Sequence, residues 1–411
     1  MTRDTPADVC VVAPTVRQPE FVRAYVRNAR EHGFDLDRLH VVLVTEDSRD
    51  VDEMEAMLAD LGVAGAVFGG SARADWLERH GVGEYGHLIP ERSHAQTSFG
   101  LLYAWERGFP YVVFLDDDTR PHEDTDFFGT HLDNLAFEGT VDEVSSDESW
   151  VNVLHEADED LYPRGYPYGA MDETVETEAT RVDDVVASQG LWTDVPDLDA
   201  VRILADGDVD GQGSVRTSAD DFGEDFVPAR GNYLTVCSMN LAFRREVIPA
   251  FYQLPMDDNP WGVGRFDDIW SGVFLKRAVD VVGGRIYNGD PLCAHEKVPR
   301  STFGDLASEA NGLELNEHLW RVVDDVGADR ETYAGVFAAI ATRLATGDFE
   351  DWENGAFLNH VGEYARDWLE VLAALDDGAI DTAALDGATA RDGTREDGTE
   401  PTTTAPAGGD D

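Results

Sequence analysis

Residues 111 to 120 read YVVFLDDDTR. An apolar run of Tyr111, Val112, Val113, Phe114 and Leu115 predicts a β-strand, and it stops at three adjacent carboxylates, Asp116, Asp117 and Asp118. A buried or half-buried row of three negative charges repels itself unless a hard divalent ion or strong donors neutralise it. Oxygen ligands suit Mg²⁺ or Mn²⁺. In an acid-rich chain the commoner explanation is a solvated acidic turn, but the wholly apolar strand in front of the aspartates weighs against it.

The texture around that strand extends the prediction. Val9 to Ala13 is a short apolar strand ending in Pro14 and Thr15, and Glu20 to His32 has helical spacing through Phe21, Ala24, Tyr25 and Ala29. Val41 to Val44 is a second strand, ending in Thr45, Glu46, Asp47 and Ser48. Met54 to Leu61 and Ser98 to Trp105 read as amphipathic helices. Strands alternating with helices predict an α/β fold built on a parallel, doubly wound sheet. In such sheets ligands gather beyond the carboxyl ends of the strands, where Thr15, Asp47 and the three aspartates fall.

Acid-rich stretches at Glu138 to Ser149, Asp172 to Asp184 and Asp206 to Asp225 contain few core-forming residues and read as surface insertions. Tyr233 to Phe243, Ile269 to Val279 and Gly284 to His295 resume the strand and helix texture. Leu313 to Val326 and Tyr333 to Leu375 read as mainly helical. The expected organisation is an α/β domain with acidic insertions over 1–325, a helical extension over 326–375 and a disordered acidic tail over 376–411.

Composition limits the partners. With 31 Lys plus Arg against 83 Asp plus Glu, the formal charge is −52. Phosphate polyanions and anionic membranes are repelled by such a surface, so nucleic acid is excluded and any phosphate ligand must be held locally by a metal or a few basic residues. Lys276 and Lys297 are the only lysines, yet the hydrophobic fraction is an ordinary 42%. That combination reads as adaptation to salt, in which screening shortens the reach of self-repulsion. Cys10, Cys237 and Cys293 lack any Cys-x-x-Cys spacing and read as small buried hydrophobes. Neither a leader nor an apolar run of membrane-spanning length is apparent, so a soluble protein of a salt-rich cytoplasm is expected.

Three further clusters carry chemistry. In GVGRFDDIWSG, Asp267 and Asp268 stand where acids offset a helix dipole, and where a carboxylate can bond a sugar hydroxyl or act as a general base. In PLCAHEKV, His295 and Lys297 follow an apolar stretch; a histidine suits a third metal ligand and a lysine a point charge on phosphate. In YPRGYPYG, Arg164 lies among prolines, glycines and tyrosines, which by spacing alone is an ordinary loop with an arginine on it.

Together with SQGLWTDVPDLDA (188–200) and VCSMNLAFRRE (236–246), in the same order, these segments resemble the reversibly glycosylated polypeptides, or UDP-arabinopyranose mutases, of glycosyltransferase family 75. The resemblance covers most of 9–325, more weakly in APTVRQPEF and SFG. It implies a GT-A-type fold holding a UDP-sugar through Asp-x-Asp and Mn²⁺ or Mg²⁺, and homo- or hetero-oligomers. By that resemblance Asp116 and Asp118 hold the metal, and His295 is the third ligand suggested by its own cluster. Asp117 orients the nucleotide or sugar, and Thr15, Asp47, Trp192, Asn240 and Lys297 join it around the nucleotide sugar. Arg164 matches the family's reversibly glycosylated arginine, with Asp267 or Asp268 as the carboxylate it needs. Met171 stands where the family has a second arginine, and Gln189 where it has a histidine.

The expected activity is a pyranose–furanose mutase acting on a UDP-sugar. The alternatives are a glycosyltransferase with a separate acceptor and a non-catalytic binding protein. From composition alone, dialysis from molar salt into dilute buffer is expected to unfold the chain; an unchanged circular dichroism spectrum would refute salt dependence.

Overall fold

The apolar runs of the first third become the parallel part of one large sheet. In the computed structural model, which describes residues 7–155, 157, 161–171, 173–376, 378 and 380, β1 (Val9–Pro14), β2 (Leu39–Val44), β3 (Ala64–Phe68) and β4 (Tyr111–Leu115) lie in the order β3-β2-β1-β4, all parallel. Between them run α1 (Glu20–Glu31), α2 (Val51–Asp60), α3 (Gly70–Arg79) and α4 (Ser98–Arg107). Val9 to Ala13, Val41 to Val44 and Val112 to Leu115 are buried, as expected of strands covered by helices on both faces.

The chain continues through β5 (Thr119–Pro121), α5 (Phe127–Leu135), β6 (Gly139–Ser146), β7 (Trp150–Val151), β8 (Val175–Val182), β9 (Val185–Asp194) and α6 (Ala200–Ala205). It then forms β10 (Phe226–Pro228), β11 (Tyr233–Leu234), β12 (Asn240–Arg244), α7 (Asp267–Val282) and β13 (Arg285–His295). Beyond β4 the sheet is mixed and runs β12-β9-β13-β10-β6-β8, with β5 on β13. β12 is antiparallel to β4 and β9, while β9 and β13 are parallel. This arrangement brings the carboxyl ends of β4, β9 and β13 to one edge, together with the segment that enters β12. Helices α8 (Thr302–Val323), α9 (Tyr333–Thr346) and α10 (Ala356–Leu375) follow, so the C-terminal stretches are helical as the sequence indicates. The expected disordered tail lies outside the described residues, apart from Asp376, Gly378 and Ile380.

Two of the acid-rich stretches are not loops. They form β6 and β8, an antiparallel pair in register from Gly139↔Val182 to Ser146↔Val175 at the far edge of the sheet. Val141 and Val144 supply its buried face, while Glu176 and Glu178 charge the outermost strand and discourage pairing with another chain. Both lysines are buried: Lys276 pairs with Asp280 at 2.5 Å, and Lys297 faces the site described below. The basic side chains exposed among the described residues are therefore arginines and histidines. None of the described helices is long and apolar enough to cross a membrane.

A polar knot fastens α5 to the sheet. His131 Nε2 meets Asn240 Oδ1 at 2.8 Å, and His131 Nδ1 meets Ser188 Oγ at 2.9 Å. Asn240 Nδ2 already donates to the carbonyls of Leu191 and Pro291, so its oxygen must accept, and His131 is neutral with the proton on Nε2. Burial pushes its pKa down to about 4. The unfolded chain takes up this proton near 6.5 and the folded one only near 4, so the folded state loses stability as pH falls between them. Between pH 7 and pH 5 the loss is about 2 kcal/mol. Denaturant titrations of wild type and His131→Gln should show their stability difference shrinking by that amount over the interval; a pH-independent difference would contradict it.

Candidate active site

Three aspartates leave β4 and face three different surroundings. Asp117 accepts from Thr15 Oγ1 at 3.0 Å and from Arg17 Nη2 at 2.8 Å, which ties the end of β4 to the end of β1. Asp116 and Asp118 line two adjoining cavities of about 310 and 300 Å³. The first also contains Thr15, Arg17 and Asp117; the second contains Arg164, Asp197, Asp268 and Lys297. His94 and Arg300 line both. Burial, followed by repulsion from Asp116, raises the pKa of Asp118, the self-repulsion expected of adjacent carboxylates.

The proposed metal ligands share one cavity but do not form a cage. His295 Nδ1 donates to the Val195 carbonyl at 2.7 Å, which leaves Nε2 directed toward Asp118 Oδ2, 3.9 Å away. Fixing one ring nitrogen in this way prepares the other as a ligand. Asp116 Oδ1, however, lies 3.6 Å from His94 Nε2. Among the described residues no group of three or more His, Cys, Asp or Glu side chains is placed to hold a metal. The donor types suit Mg²⁺ or Mn²⁺, whereas the distances are those of ion pairs rather than of a shared ligand shell.

The two acids that open α7 have separate partners. Asp267 Oδ2 is 2.5 Å from His94 Nδ1, so His94 bridges Asp267 and Asp116. Burial opposes charge on His94, but Asp267 and Asp116 outweigh it and raise the pKa of the imidazole well above its usual value. Burial also opposes charge on Asp267, yet His94 and Arg164 lower its pKa. Asp268 faces Arg164, with Oδ1 3.4 Å from both terminal nitrogens.

Arg164 is buried and every donor on it is engaged. Nε and Nη2 reach Asp197 Oδ2 at 3.1 and 3.0 Å, both terminal nitrogens face Asp268, and Nη1 donates to the carbonyl of Arg265. Arg265 adopts a left-handed φ of +61°, a conformation uncommon for a residue with a side chain, and its side chain is held by Glu309 at 2.7 Å. Gly165, at φ +89°, lets the Arg164 loop press on α7: a Cβ there would lie 2.3 Å from Ile269 Cγ2. Burial works against the guanidinium charge, but Asp197 and Asp268 more than compensate and push the pKa further up.

The remaining candidates divide. Lys297 lines the Arg164 cavity, and its buried Nζ has no hydrogen-bond partner among the described residues. Burial lowers its pKa, with Asp197 acting in opposition. Asp47 accepts from the Ser71 backbone N–H at 2.9 Å near the start of α3 and lines neither cavity. Trp192 is wholly buried in β9 and Asn240 belongs to the His131 knot; neither lines the cavities. Gln189 bonds Thr235, Cys237 and Asn288 within the core. Near Met171, Arg202 brings Nη1 to 3.3 Å from the sulfur. The sequence reading did not single out His94, Asp197, Arg265 or Arg300. Only the second and third lie inside the motifs that carried the resemblance.

An Asp-Asp-Asp turn at the carboxyl end of a central strand, in a mixed α/β sheet ordered β3-β2-β1-β4-β12, defines a GT-A-type fold. The chain belongs to the reversibly glycosylated polypeptide family, whose profile matches residues 80–346. That span starts after the N-terminal agreement in APTVRQPEF and extends beyond residue 325. Relatives include UDP-arabinopyranose mutase 3 of Arabidopsis thaliana, 26% identical over 240 residues, 56% of this chain and 59% of that one. Another is the probable UDP-arabinopyranose mutase 1 of Pisum sativum, 32% identical over 251 residues, 58% and 60% of the two chains. The matches thus span about three-fifths of these relatives' lengths. Among solved structures, a mannosyltransferase of Pyrobaculum calidifontis in complex with GDP-Man and Mn²⁺ aligns at 15% identity and TM-score 0.37, covering 90% of this chain and 85% of that one.

Lys297 Nζ makes no hydrogen bond among the described residues, and Asp197 is the acid that favours its charge, which leaves its donors free for an anion in the cavity. Lys297→Met is expected to weaken binding of inorganic pyrophosphate roughly 10- to 100-fold in calorimetric titration, without lowering the thermal midpoint. Unchanged affinity would remove Lys297 from the phosphate site.

Proposed function

We propose that the protein is a mutase that interconverts pyranose and furanose forms of a UDP-sugar such as UDP-arabinose, with Arg164 as the reversible point of attachment. The observation that supports this most is the placement of Arg164 between Asp197 and Asp268, in the cavity that also contains Asp116, Asp118 and Lys297. The relatives named as UDP-arabinopyranose mutases point the same way.

In this reading Lys297 receives the diphosphate, and Thr15, Arg17 and Asp117 face the nucleotide side. A divalent cation held by Asp116 and Asp118, with His295 beside them, would neutralise charge on the departing diphosphate. The bond from C1 to the diphosphate oxygen breaks with its electron pair leaving on that oxygen. A terminal nitrogen of Arg164 bonds C1 and gives its proton to Asp268. Burial raises the pKa of Asp268, which suits a proton acceptor. The ring bond from C1 to the ring oxygen then opens, that oxygen takes a proton, and the C4 hydroxyl closes on C1 with loss of its own proton. Return of the diphosphate oxygen to C1 releases the nitrogen, which recovers its proton from Asp268. The sugar leaves as a furanose with no net gain or loss of atoms.

One observation favours a second reading. All three nitrogens of Arg164 are engaged and its charge is held firmly. A guanidinium in that state is a poor nucleophile, which suits an enzyme that uses Arg164 only to orient the sugar and passes the sugar to a separate acceptor.

Incubating the protein in high salt with UDP-arabinopyranose and Mn²⁺, then separating the ring forms, distinguishes the two. Furanose formed without an acceptor, and lost in Arg164→Lys, is the expected result. Acceptor-dependent sugar loss with no furanose would overturn the mutase in favour of the transferase.

A further inference from the structure

Asp197 is bound to Arg164 more tightly than any other carboxylate is. Its Oδ2 accepts from Nε and forms an ion pair with Nη2, and its backbone carbonyl accepts the Arg164 backbone N–H at 2.7 Å. The two residues are therefore tied by main chain and side chain together, although they are far apart in sequence. Side-on pairing through Nε fixes the plane of the guanidinium, leaving Nη1 on the Arg265 carbonyl and the tip, with both terminal nitrogens, toward Asp268.

We propose that Asp197 is the positioning residue for Arg164: it holds the Nε side of the guanidinium so that the tip, whose terminal nitrogens face Asp268, is the part presented to the reacting sugar. The inference rests on the mutase reading, and it divides labour between two carboxylates that face the same group. Asp268 lies 3.4 Å from both terminal nitrogens and exchanges a proton with one of them. Asp197 stays charged throughout. Burial opposes that charge, but Arg164, Lys297 and His295 overcome it and hold the carboxyl well below its ordinary range, while burial moves Asp268 the other way. Carboxylates whose surroundings separate them in this manner take different roles. Asp197 also serves as the counter-charge for Lys297, so the two basic side chains expected at the diphosphate and at the sugar are set against one anchor.

The test compares wild type, Asp197→Asn and Asp197→Glu in high salt, with near-ultraviolet circular dichroism to confirm folding. Asp197→Asn should lower kcat for furanose formation roughly 100-fold while KM changes by less than about threefold, because it misorients a reacting group without removing a substrate contact. Asp197→Glu, which keeps the charge and can still take both nitrogens, should regain part of that loss even if the amide variant folds poorly. Unchanged kcat, or a KM that rises as far as kcat/KM falls, overturns the proposal. If wild type forms no furanose, the mutase reading fails and a turnover-independent readout decides the positioning claim. Modification of Arg164 by phenylglyoxal, mapped by mass spectrometry, should be faster in Asp197→Asn than in wild type and not in Asp197→Glu. Equal rates in all three would overturn it.

Discussion

A guanidinium taken out of water is strongly destabilising unless its charge and its donors are met. Arg164 satisfies both conditions through Asp197, Asp268 and the Arg265 carbonyl. Those three partners come from different parts of the chain: the segment after β9, the first turn of α7 and the loop in front of it. Forming the pairs therefore brings the carboxyl end of β9 and the start of α7 to the same place. The left-handed turn at Arg265 and the missing Cβ at Gly165 allow that close approach. From there the charges alternate outward, through Asp267 to His94 and on to Asp116, so the β4 aspartates and the arginine belong to one electrostatic unit. Removing either carboxylate would leave buried charge without compensation, while removing the arginine would leave two acids facing each other.

The same unit places basic side chains inside so acidic a chain, where a phosphate ligand of the proposed reaction would meet them. Self-repulsion across the surface is a long-range effect that salt screens, whereas Lys297, Arg164 and Arg265 act inside a cavity of about 300 Å³ where screening is weak. Both lysines are buried, but only Lys297 lies in that cavity, Lys276 being paired with Asp280 in α7.

Much of this was legible in the sequence because the relevant residues follow apolar runs. The YVVFL strand predicts where Asp116 to Asp118 must emerge, and the apolar stretch before His295 does the same for His295 and Lys297. The acids at 267 and 268 mark the start of α7 as expected. The sequence could not separate their partners, since neighbours along a first helical turn point to different sides. Asp197 sits in a motif rich in aspartate, and nothing local distinguishes it from Asp194 or Asp199, the second of which caps α6. His94 lies in a short helical turn with no periodic signal. Two candidates lie within the sheet instead, where Asn240 serves the His131 knot and Trp192 is buried. Asp47 does lie beyond a strand end, but its carboxylate is taken by the start of α3. The strands within the acid-rich stretches are hard to see in the sequence because two valines on one face give too weak an alternation to stand out among charges.

The central claim is that the sugar passes through Arg164, and its most direct test is to look for the sugar there. Protein incubated with radiolabelled UDP-sugar in high salt, quenched, digested and mapped by mass spectrometry should carry one sugar on the peptide containing Arg164. The label should disappear on a chase with excess UDP. A label on another residue, or furanose product formed with Arg164 never modified, would contradict the account.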